Sequence, residues 1–202
     1  MSKNFDDLLT KLKVATTKKL AVAVAQDEPV LEAVKAAKDR GIAEAVLVGD
    51  KAKIEEVAAK VDMDLSDFEI IHEADIKKAT LKAIQLVSSG AADMVMKGLV
   101  DTATFLRSVL NKEVGLRTGN LMSHVSVFEI EGIDRLILLT DAAFNTYPDL
   151  KQKVQIINNS VMVAKACGIQ NPKVAPVCAV EVVNPDMPAT NFLWILQRVS
   201  FS

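Results

Sequence analysis

Short apolar runs alternate with amphipathic stretches over the first 120 residues of the chain. Residues 19–25 form a β-branched run with no room for a helical period, and residues 28–40 then carry apolar side chains at helical spacing before Gly41. The alternation continues, predicting strands over 45–48, 68–71 and 94–96 and helices over 51–61, 75–89 and 104–111. This order predicts an α/β fold with a doubly wound, mostly parallel sheet.

The pattern changes after residue 120. Residues 124–130 and 135–139 are neighbouring strand-like runs, and the short polar segment between them indicates a hairpin instead of a crossover. We therefore predict a domain boundary near residue 122. The expected domains are an N-terminal α/β domain over 1–122 and a partial second α/β domain over 123–202.

A long amphipathic helix is predicted after the hairpin. Thr146 is its expected N-cap, Asp149 is the acidic residue three positions later, and Gly168 ends the apolar stripe. The apolar residues that follow predict a strand over 174–183.

Composition excludes several classes of function. The chain has 24 basic and 26 acidic residues, a net charge of -2, and few aromatic residues, so nucleic acid is not an expected partner. Its apolar stretches fall far short of the ~20 residues that cross a bilayer, and we expect a cytoplasmic protein. Two cysteines and two histidines without ligand spacing indicate that no metal is bound.

The common phosphate-binding and nucleophile motifs are absent. No G-x-G-x-x-G follows the first strand, and neither G-x-x-x-x-G-K-[ST] nor G-x-S-x-G occurs in the chain. A dinucleotide dehydrogenase, a P-loop enzyme and an α/β-hydrolase are therefore not expected.

The segment Lys97–Thr104 is the main candidate for ligand binding. It joins a predicted buried strand to a helix at the carboxyl end of the sheet, where open α/β folds bind ligands. Gly98 lets the backbone turn closely, and the free N–H groups of the helix start suit an anion, with Thr102 or Thr104 as a cap or ligand hydroxyl. Helical projection puts Arg107 on the side of Thr104, away from the core.

Charge and a second loop extend this candidate site. Residues 94–123 contain four basic and two acidic residues, a local net charge of +2 that suits a phosphorylated small molecule, although an ordinary solvated helix face remains the alternative. Asp141 and Asn145 follow the last strand of the hairpin and are candidates for the opposing wall of a cleft between the domains. Turn chemistry is the alternative explanation for both residues.

Four stretches carry a resemblance to a known family: KKLAVAVAQDEPVLEAV, ADMVMKGLVDTATFLRSVLNKEVGLRTG, LTDAAFNTYPDL and NPKVAPVCAVEVVNPDMPAT. Together they cover the chain from about residue 19 to residue 190, and they resemble the phosphate acetyl/butyryltransferase family, its butyryltransferase members most. The resemblance implies two α/β domains related to the isocitrate and isopropylmalate dehydrogenases, with the active site in the cleft between them.

The resemblance also implies an activity. Family members transfer a butanoyl or similar short acyl group reversibly between CoA and inorganic phosphate, without metal or prosthetic group. Residues 101–107 resemble the family segment whose threonines and arginine hold phosphate-bearing groups. The expected substrate-binding residues are Gly98, Thr102, Thr104 and Arg107, with Arg117 as a weaker candidate and Asn145 as a cleft residue of unassigned role.

The chain departs from the family pattern at its carboxyl end. Family chains continue to a Ser-Arg pair and an acidic residue that serves as the base for the CoA thiol, and no Ser-Arg dipeptide occurs here. The match breaks after Thr190, so the catalytic groups stay unassigned. The tail 191–202 is expected to come from a frameshift or premature gene end, or to be a genuine tail.

These departures leave several expectations open. An incomplete second domain would expose apolar surface and strand edges, which predicts self-association into a homo-oligomer. The alternative to an active acyltransferase is a catalytically inactive remnant that still binds CoA or phosphate. A relative acting on longer acyl groups is a further alternative.

Overall fold

The computed structural model describes residues 2–12, 16–178, 182–184, 186 and 190 of the chain. The chain divides into two compact units, one made of Leu9–Gly119 and the other of Met1–Leu8 together with Asn120–Ser202. The predicted domain limits stay a prediction, because compact packing does not by itself show that a unit folds independently. None of the helices in the described ranges is long and apolar enough to cross a membrane.

A short helix near the amino terminus, α1 (Phe5–Leu12), has no counterpart in the sequence predictions. Its start is held by another part of the chain, since the Glu129 carboxylate accepts a hydrogen bond from the Phe5 N–H at 2.8 Å. Leu8 packs against the buried cluster that contains Leu136. A helix of this length is marginal without such contacts, so its local sequence pattern is a weak signal.

The unit Leu9–Gly119 alternates strands and helices as predicted, with bounds that differ by at most two residues. Its helix before residue 110 begins at Thr102, two residues earlier than expected. The elements are β1 (Lys18–Ala23), α2 (Glu28–Asp39), β2 (Ala43–Gly49), α3 (Lys51–Lys60), β3 (Glu69–His72), α4 (Ile76–Ser88), β4 (Met94–Lys97) and α5 (Thr102–Val109).

The four strands form one parallel sheet with helices on both faces. Val22 and Leu47 point to the face covered by α2 and α3, where they pack with Leu31 and Ile54. The neighbouring residues of β1 and β2, such as Ala23 and Val48, point to the opposite face, where they pack with residues of α4 and with Phe105 of α5. Both faces of the central strands are therefore buried, and the predicted α/β class with a parallel sheet is confirmed.

The strand order is β3-β2-β1-β4. The chain leaves β1 toward β2 and β3 on one side, and β4 pairs with the other side of β1, with Leu20 opposite Met94 and Ala23 opposite Lys97. The order of the strands thus reverses between β1 and β4. Open α/β sheets bind ligands at the carboxyl ends of the strands at such a switch point.

The other unit contains the predicted hairpin. Strands β5 (Val125–Phe128) and β6 (Ile137–Thr140) are antiparallel, with Val125 opposite Thr140. Helix α6 (Leu150–Ala166) packs against this hairpin, and the buried core joins Leu136 with Ala164 and Ile169. The predicted change of topology after residue 120 is confirmed.

The predicted strand over 174–183 is wrong for the part of it that the structure describes. Residues 174–178, 182 and 183 have no strand structure, and Val177 and Val182 are 90% and 72% exposed. A β-branched run forms a strand only where a neighbour pairs with it, and no described strand does so here. Residues 179–181 and the tail 191–202 lie outside the described residues.

The predicted cap of α6 is also wrong. Asp149, not Thr146, is the N-cap: its carboxylate accepts from the Gln152 N–H at 2.7 Å, and the Gln152 side chain accepts from the Asp149 N–H at 2.9 Å. Pro148 lies directly before Asp149 and disfavours helical backbone at Tyr147, so the helix starts later than the apolar pattern suggests. This reciprocal pair is a capping box.

Replacing Asp149 with alanine should lower the free energy of unfolding by about 1 kcal/mol, because it removes the side-chain acceptor of this capping box. Urea unfolding followed by circular dichroism measures the change. Thr146→Ala is the matched control and should leave stability within about 0.5 kcal/mol of the wild type. Equal losses in the two variants would contradict the assignment of the cap.

Candidate functional site

The ends of β1 and β4 meet closely at the switch point. The Gly98 N–H donates to the Ala23 carbonyl at 2.8 Å, and the Leu99 N–H donates to the Val24 carbonyl at 2.9 Å. Gly98 is buried, and a Cβ atom there would lie 2.6 Å from the Ala23 oxygen and would overlap the Val24 oxygen. The close turn predicted for Gly98 therefore depends on the absent side chain.

Val24 has an unusual backbone conformation at this crossing. Its φ of +60° is in the left-handed region, which a β-branched residue rarely adopts, and its side chain is fully buried. At the next residue the chain is again bonded to the sheet, since the Ala25 N–H donates to the Val48 carbonyl at 3.0 Å. Strained backbone of this kind concentrates at ligand-binding and active sites, which supports the switch point as the candidate site.

Helix α5 starts directly beyond this crossing, and Asp101 is its N-cap. The Asp101 carboxylate accepts from the Thr104 N–H at 2.8 Å, so neither Thr102 nor Thr104 supplies the cap that we expected. Hydrogen bonds from the side chain and backbone of Thr104, and the nearby charge of Arg107, lower the pKa of Asp101. Thr102 is the first helical residue and is exposed.

Thr104 and Arg107 are in contact, as the helical projection indicated. Arg107 Nη2 donates to Thr104 Oγ1 at 3.2 Å, and Arg107 Nε donates to the Ala103 carbonyl at 3.2 Å. Thr104 is nevertheless only 7% exposed, so its predicted position on the solvated face is wrong. Helix α5 packs against α4 as well as against the sheet, which widens its buried face.

The guanidinium of Arg107 remains available to a ligand. Arg107 is exposed, and no carboxylate forms an ion pair with it within the part of the chain that the structure describes. Lys97 is the other nearby cation, and its Nζ is hydrogen-bonded to the loop that follows β4, since it donates to the Val100 carbonyl at 2.6 Å. Arg107 is therefore the cation best suited to bind an anion at the start of α5.

Arg117 is not brought together with this group. It is exposed and follows Leu116, whose N–H donates to the carbonyl of Val109, the last residue of α5, at 2.7 Å. Arg117 thus lies at the carboxyl end of the helix, about 12 Å along its axis from the start. Its expected role stays a prediction.

Asp141 organises the loop after β6 in the other unit. Its carboxylate accepts from the N–H groups of Ala143 and Phe144, both at 2.9 Å, from the His124 N–H at 3.2 Å and from Asn145 Nδ2 at 2.6 Å. Burial alone would raise the pKa of Asp141, but these hydrogen bonds lower it overall. The ionised carboxylate therefore holds the loop in place.

Asn145 is joined to the same network. Its Nδ2 donates to Asp141 and also to the Met122 carbonyl at 3.0 Å, so both amide hydrogens have acceptors. The Oδ1 atom has no hydrogen bond to the described residues, and it can only accept. Asn145 in this arrangement suits a ligand N–H or O–H better than a phosphate oxygen, and its predicted cleft role stays a prediction.

Replacing Asp141 with asparagine should destabilise the protein at pH 7 by about 1–3 kcal/mol, since bonds to a charged acceptor are lost. Because the folded pKa of Asp141 lies below the unfolded value of about 3.9, its contribution is present above pH 4 and is lost as pH falls through the folded pKa. Urea unfolding from pH 7 to pH 2 measures this dependence. Between pH 4 and pH 2, the free energy of unfolding should fall less steeply in Asp141→Asn than in the control Asp186→Asn. Parallel curves of unfolding free energy against pH would contradict this role.

His124 contacts Phe144 edge to face, with ring centroids 5.7 Å apart, as expected for a packing residue. Within the described ranges, no three or more His, Cys, Asp or Glu side chains come together in a group that could hold a metal ion. The expectation that the protein needs no metal stays a prediction.

The family model described as phosphate acetyl/butaryl transferase matches residues 4–80 and 72–194. The chain belongs to this family. Two curated relatives, the phosphate butyryltransferases of Clostridium beijerinckii and Clostridium acetobutylicum, are 67% and 64% identical to it over 200 residues. Each alignment covers 99% of this chain and 66% of the relative, so the chain spans just under two thirds of their length.

Solved structures of phosphotransacylases have a similar fold. A branched-chain phosphotransacylase from Enterococcus faecalis V583 superposes with a TM-score of 0.72 at 26% identity, covering 87% of this chain and 61% of that one. A phosphotransacetylase from Streptococcus pyogenes superposes with the same TM-score at 20% identity, covering 95% and 68%, and shows the fold alone. The mixed α/β architecture is thus shared with phosphotransacylases.

Sequence reasoning missed two residues at the candidate site. Asp101 caps α5, and its signal is the spacing of Asp101 three residues before Thr104, which matches the distance from an N-cap to the N–H it accepts. Val24 carries the left-handed turn, and no local signal indicates it, because valine disfavours this conformation.

Proposed function

We propose that this protein is a phosphate acyltransferase that moves a butanoyl group reversibly between CoA and inorganic phosphate. The observation that carries the proposal is 67% and 64% identity over 200 residues to two phosphate butyryltransferases. The reaction converts butanoyl-CoA and phosphate into butanoyl phosphate and CoA.

In the proposed reaction a phosphate oxygen attacks the thioester carbonyl carbon. The new C–O bond forms, the C–S bond breaks, and the CoA thiolate leaves and takes up a proton. Holding both reactants in one site removes the entropic cost of their encounter. Fixed cationic and N–H groups then stabilise the charge that develops on the carbonyl oxygen and on phosphate.

The start of α5 is the proposed phosphate-binding element. Gly98 allows the strand to cross closely beneath it, the free N–H groups at Thr102 and Ala103 provide donors, and Arg107 provides the positive charge. Arg117 is proposed as a weaker contributor, since it lies at the carboxyl end of α5. Asn145 is proposed as a cleft residue of unassigned role. The catalytic groups themselves are not assigned.

Three further statements belong to the proposal. The doubly wound sheet and the fold shared with phosphotransacylases support an isocitrate/isopropylmalate dehydrogenase-like architecture. We propose that the reaction needs no metal or prosthetic group, with CoA as a substrate. We also propose a cytoplasmic homo-oligomer that binds neither nucleic acid nor membrane. Light scattering that gave only the monomer mass would contradict the oligomer.

The test is release of CoA thiol from butanoyl-CoA by the purified 202-residue chain, with and without inorganic phosphate. Phosphate-dependent release that exceeds the release from acetyl-CoA would support the proposal. A folded chain that binds CoA in calorimetry but releases no thiol would contradict it and favour an inactive CoA-binding protein. Faster turnover of a branched or longer acyl-CoA would replace butanoyl as the preferred acyl group.

A further inference from the structure

Three side chains line one face of the start of α5 at intervals of three residues. Asp101 caps the helix, Thr104 lies one turn further on, and Arg107 reaches back from the next turn. Side chains at this spacing are neighbours on a helix surface, and long ones point toward the helix amino terminus. The arrangement brings the guanidinium to the end of the helix where its free N–H groups lie.

Thr104 is at the centre of this row and is almost completely buried, with the residue 7% exposed. Its hydroxyl oxygen accepts from Arg107 Nη2 at 3.2 Å, which leaves its own hydrogen to be donated to another acceptor. The backbone N–H of the same residue donates to the Asp101 carboxylate at 2.8 Å. Thr104 thus lies between the capping carboxylate, which its N–H contacts, and the arginine, which its hydroxyl oxygen contacts.

A buried helical threonine ordinarily donates to the carbonyl four residues earlier. Thr80 in α4 does so, with its Oγ1 2.7 Å from the Ile76 carbonyl. The corresponding carbonyl for Thr104 is that of Val100, and this oxygen accepts from Lys97 Nζ at 2.6 Å instead. The hydroxyl of Thr104 therefore has a different hydrogen-bonding arrangement from that of Thr80.

The bonds to Arg107 also select which edge of its guanidinium faces outward. Nε donates to the Ala103 carbonyl and Nη2 donates to Thr104, so one bidentate edge is held against the helix. Among the described residues, no acceptor bonds the two hydrogens of Nη1 or the second hydrogen of Nη2. These groups form the other edge, whose parallel donors match two oxygens of a phosphate.

We propose that Thr104 is a positioning residue: its hydroxyl fixes the guanidinium of Arg107 so that the outer edge is presented to the phosphate group of a substrate. This inference rests on the proposed function, in which Arg107 binds phosphate. Thr104 itself does not contact the substrate in this arrangement. Its removal should therefore weaken phosphate binding only through Arg107.

The test compares Thr104→Val, which keeps the shape but removes the hydroxyl, with Thr104→Ser, which retains the hydroxyl. Thr104→Val should raise the KM for phosphate about threefold to tenfold, as expected for the net contribution of one ordinary hydrogen bond, while the KM for butanoyl-CoA changes by less than about twofold. Thr104→Ser should stay near the wild-type value. Thr80→Val and Thr80→Ser are the matched controls, because Thr80 is a buried helical threonine of the same unit whose hydroxyl bonds only its own helix.

A double variant shows whether Thr104 acts through Arg107. In an Arg107→Ala background, Thr104→Val should cause no further loss, since the group it positions is gone. An unchanged phosphate KM in Thr104→Val, a Thr104→Ser as impaired as Thr104→Val, or an additive loss in the double variant would each overturn the proposal.

The phosphate-dependent rise of the unfolding midpoint provides a readout that does not need turnover. If the wild type releases no thiol yet is stabilised by phosphate, the proposed reaction is wrong. The effect of Thr104 on phosphate binding by Arg107 can then still be measured, as the difference in that rise between the wild type and Thr104→Val. If Arg107→Ala leaves the rise intact, both the phosphate role of Arg107 and the role of Thr104 are wrong. A rise that is lost in Arg107→Ala but intact in Thr104→Val would overturn the role of Thr104 alone.

Discussion

Replacing Arg107 with alanine is expected to lower kcat/KM for phosphate about a hundredfold, equivalent to about 3 kcal/mol of transition-state stabilisation. The side chain is exposed, has no carboxylate partner among the described residues, and is held at the start of α5 by its own helix. A cation in that position offsets the charge of phosphate before and during attack on the thioester. Steady-state kinetics with phosphate as the varied substrate measures the loss.

Two comparisons make this result specific. Arg107→Lys keeps the charge but loses the bidentate edge, so it should recover only part of the activity. Arg40→Ala removes the same charge from the same unit and should leave the kinetics unchanged. Arg40 follows the carboxyl end of α2, where the chain enters the amino end of β2, whereas the candidate site is at the carboxyl ends of the strands. Arg107→Ala kinetics equal to those of Arg40→Ala would remove Arg107 from the site.

Replacing Gly98 with alanine is expected to lower the free energy of unfolding by about 3 kcal/mol, the largest stability effect predicted here. The new methyl group would lie 2.6 Å from the Ala23 carbonyl oxygen and would overlap that of Val24, and both atoms are backbone. They can move away only by breaking the hydrogen bonds that join the ends of β1 and β4. Urea unfolding measures the loss.

Gly90→Ala separates this overlap from ordinary glycine strain. Gly90 has a φ of +80° but no atom within 4 Å of an added Cβ, so alanine there should cost only about 1 kcal/mol. Gly98→Ala should also weaken phosphate binding, because it displaces the segment that leads into α5. Equal stability losses at the two positions would contradict the close approach at Gly98.

Most helices and strands of the chain could be predicted from local patterns. The β-branched run predicts the strand β1 and the apolar stripe predicts the helix α2, because each pattern is contained within a few consecutive residues. The hairpin of β5 and β6 was predictable for the same reason, because its two strands are close along the chain. The candidate loop after β4 was predicted from the point where an apolar run meets a helix, although β4 is a partly exposed edge strand and not the buried strand expected.

The predictions that failed depend on contacts that a local pattern does not contain. The apolar run at 174–178 has the composition of a strand but no described partner, and α1 forms because Glu129 and the Leu136 cluster hold it. The burial of Thr104 was missed because helix α5 packs on two neighbours, whereas a helical projection assumes one buried face.

The sequence by itself determined the alternation of strands and helices, because periodicity acts over short distances. It also predicted the start of α5 as the place for an anion and Arg107 as its cation, from the local glycine and charge. Only the tertiary structure decided that β4 pairs with β1, and therefore that Gly98 crosses the strained turn at Val24. It also decided that Thr104 is buried and that its hydroxyl oxygen accepts a hydrogen bond from Arg107. Strand order and burial depend on contacts between residues distant along the chain, and these contacts form only when the whole sheet is packed.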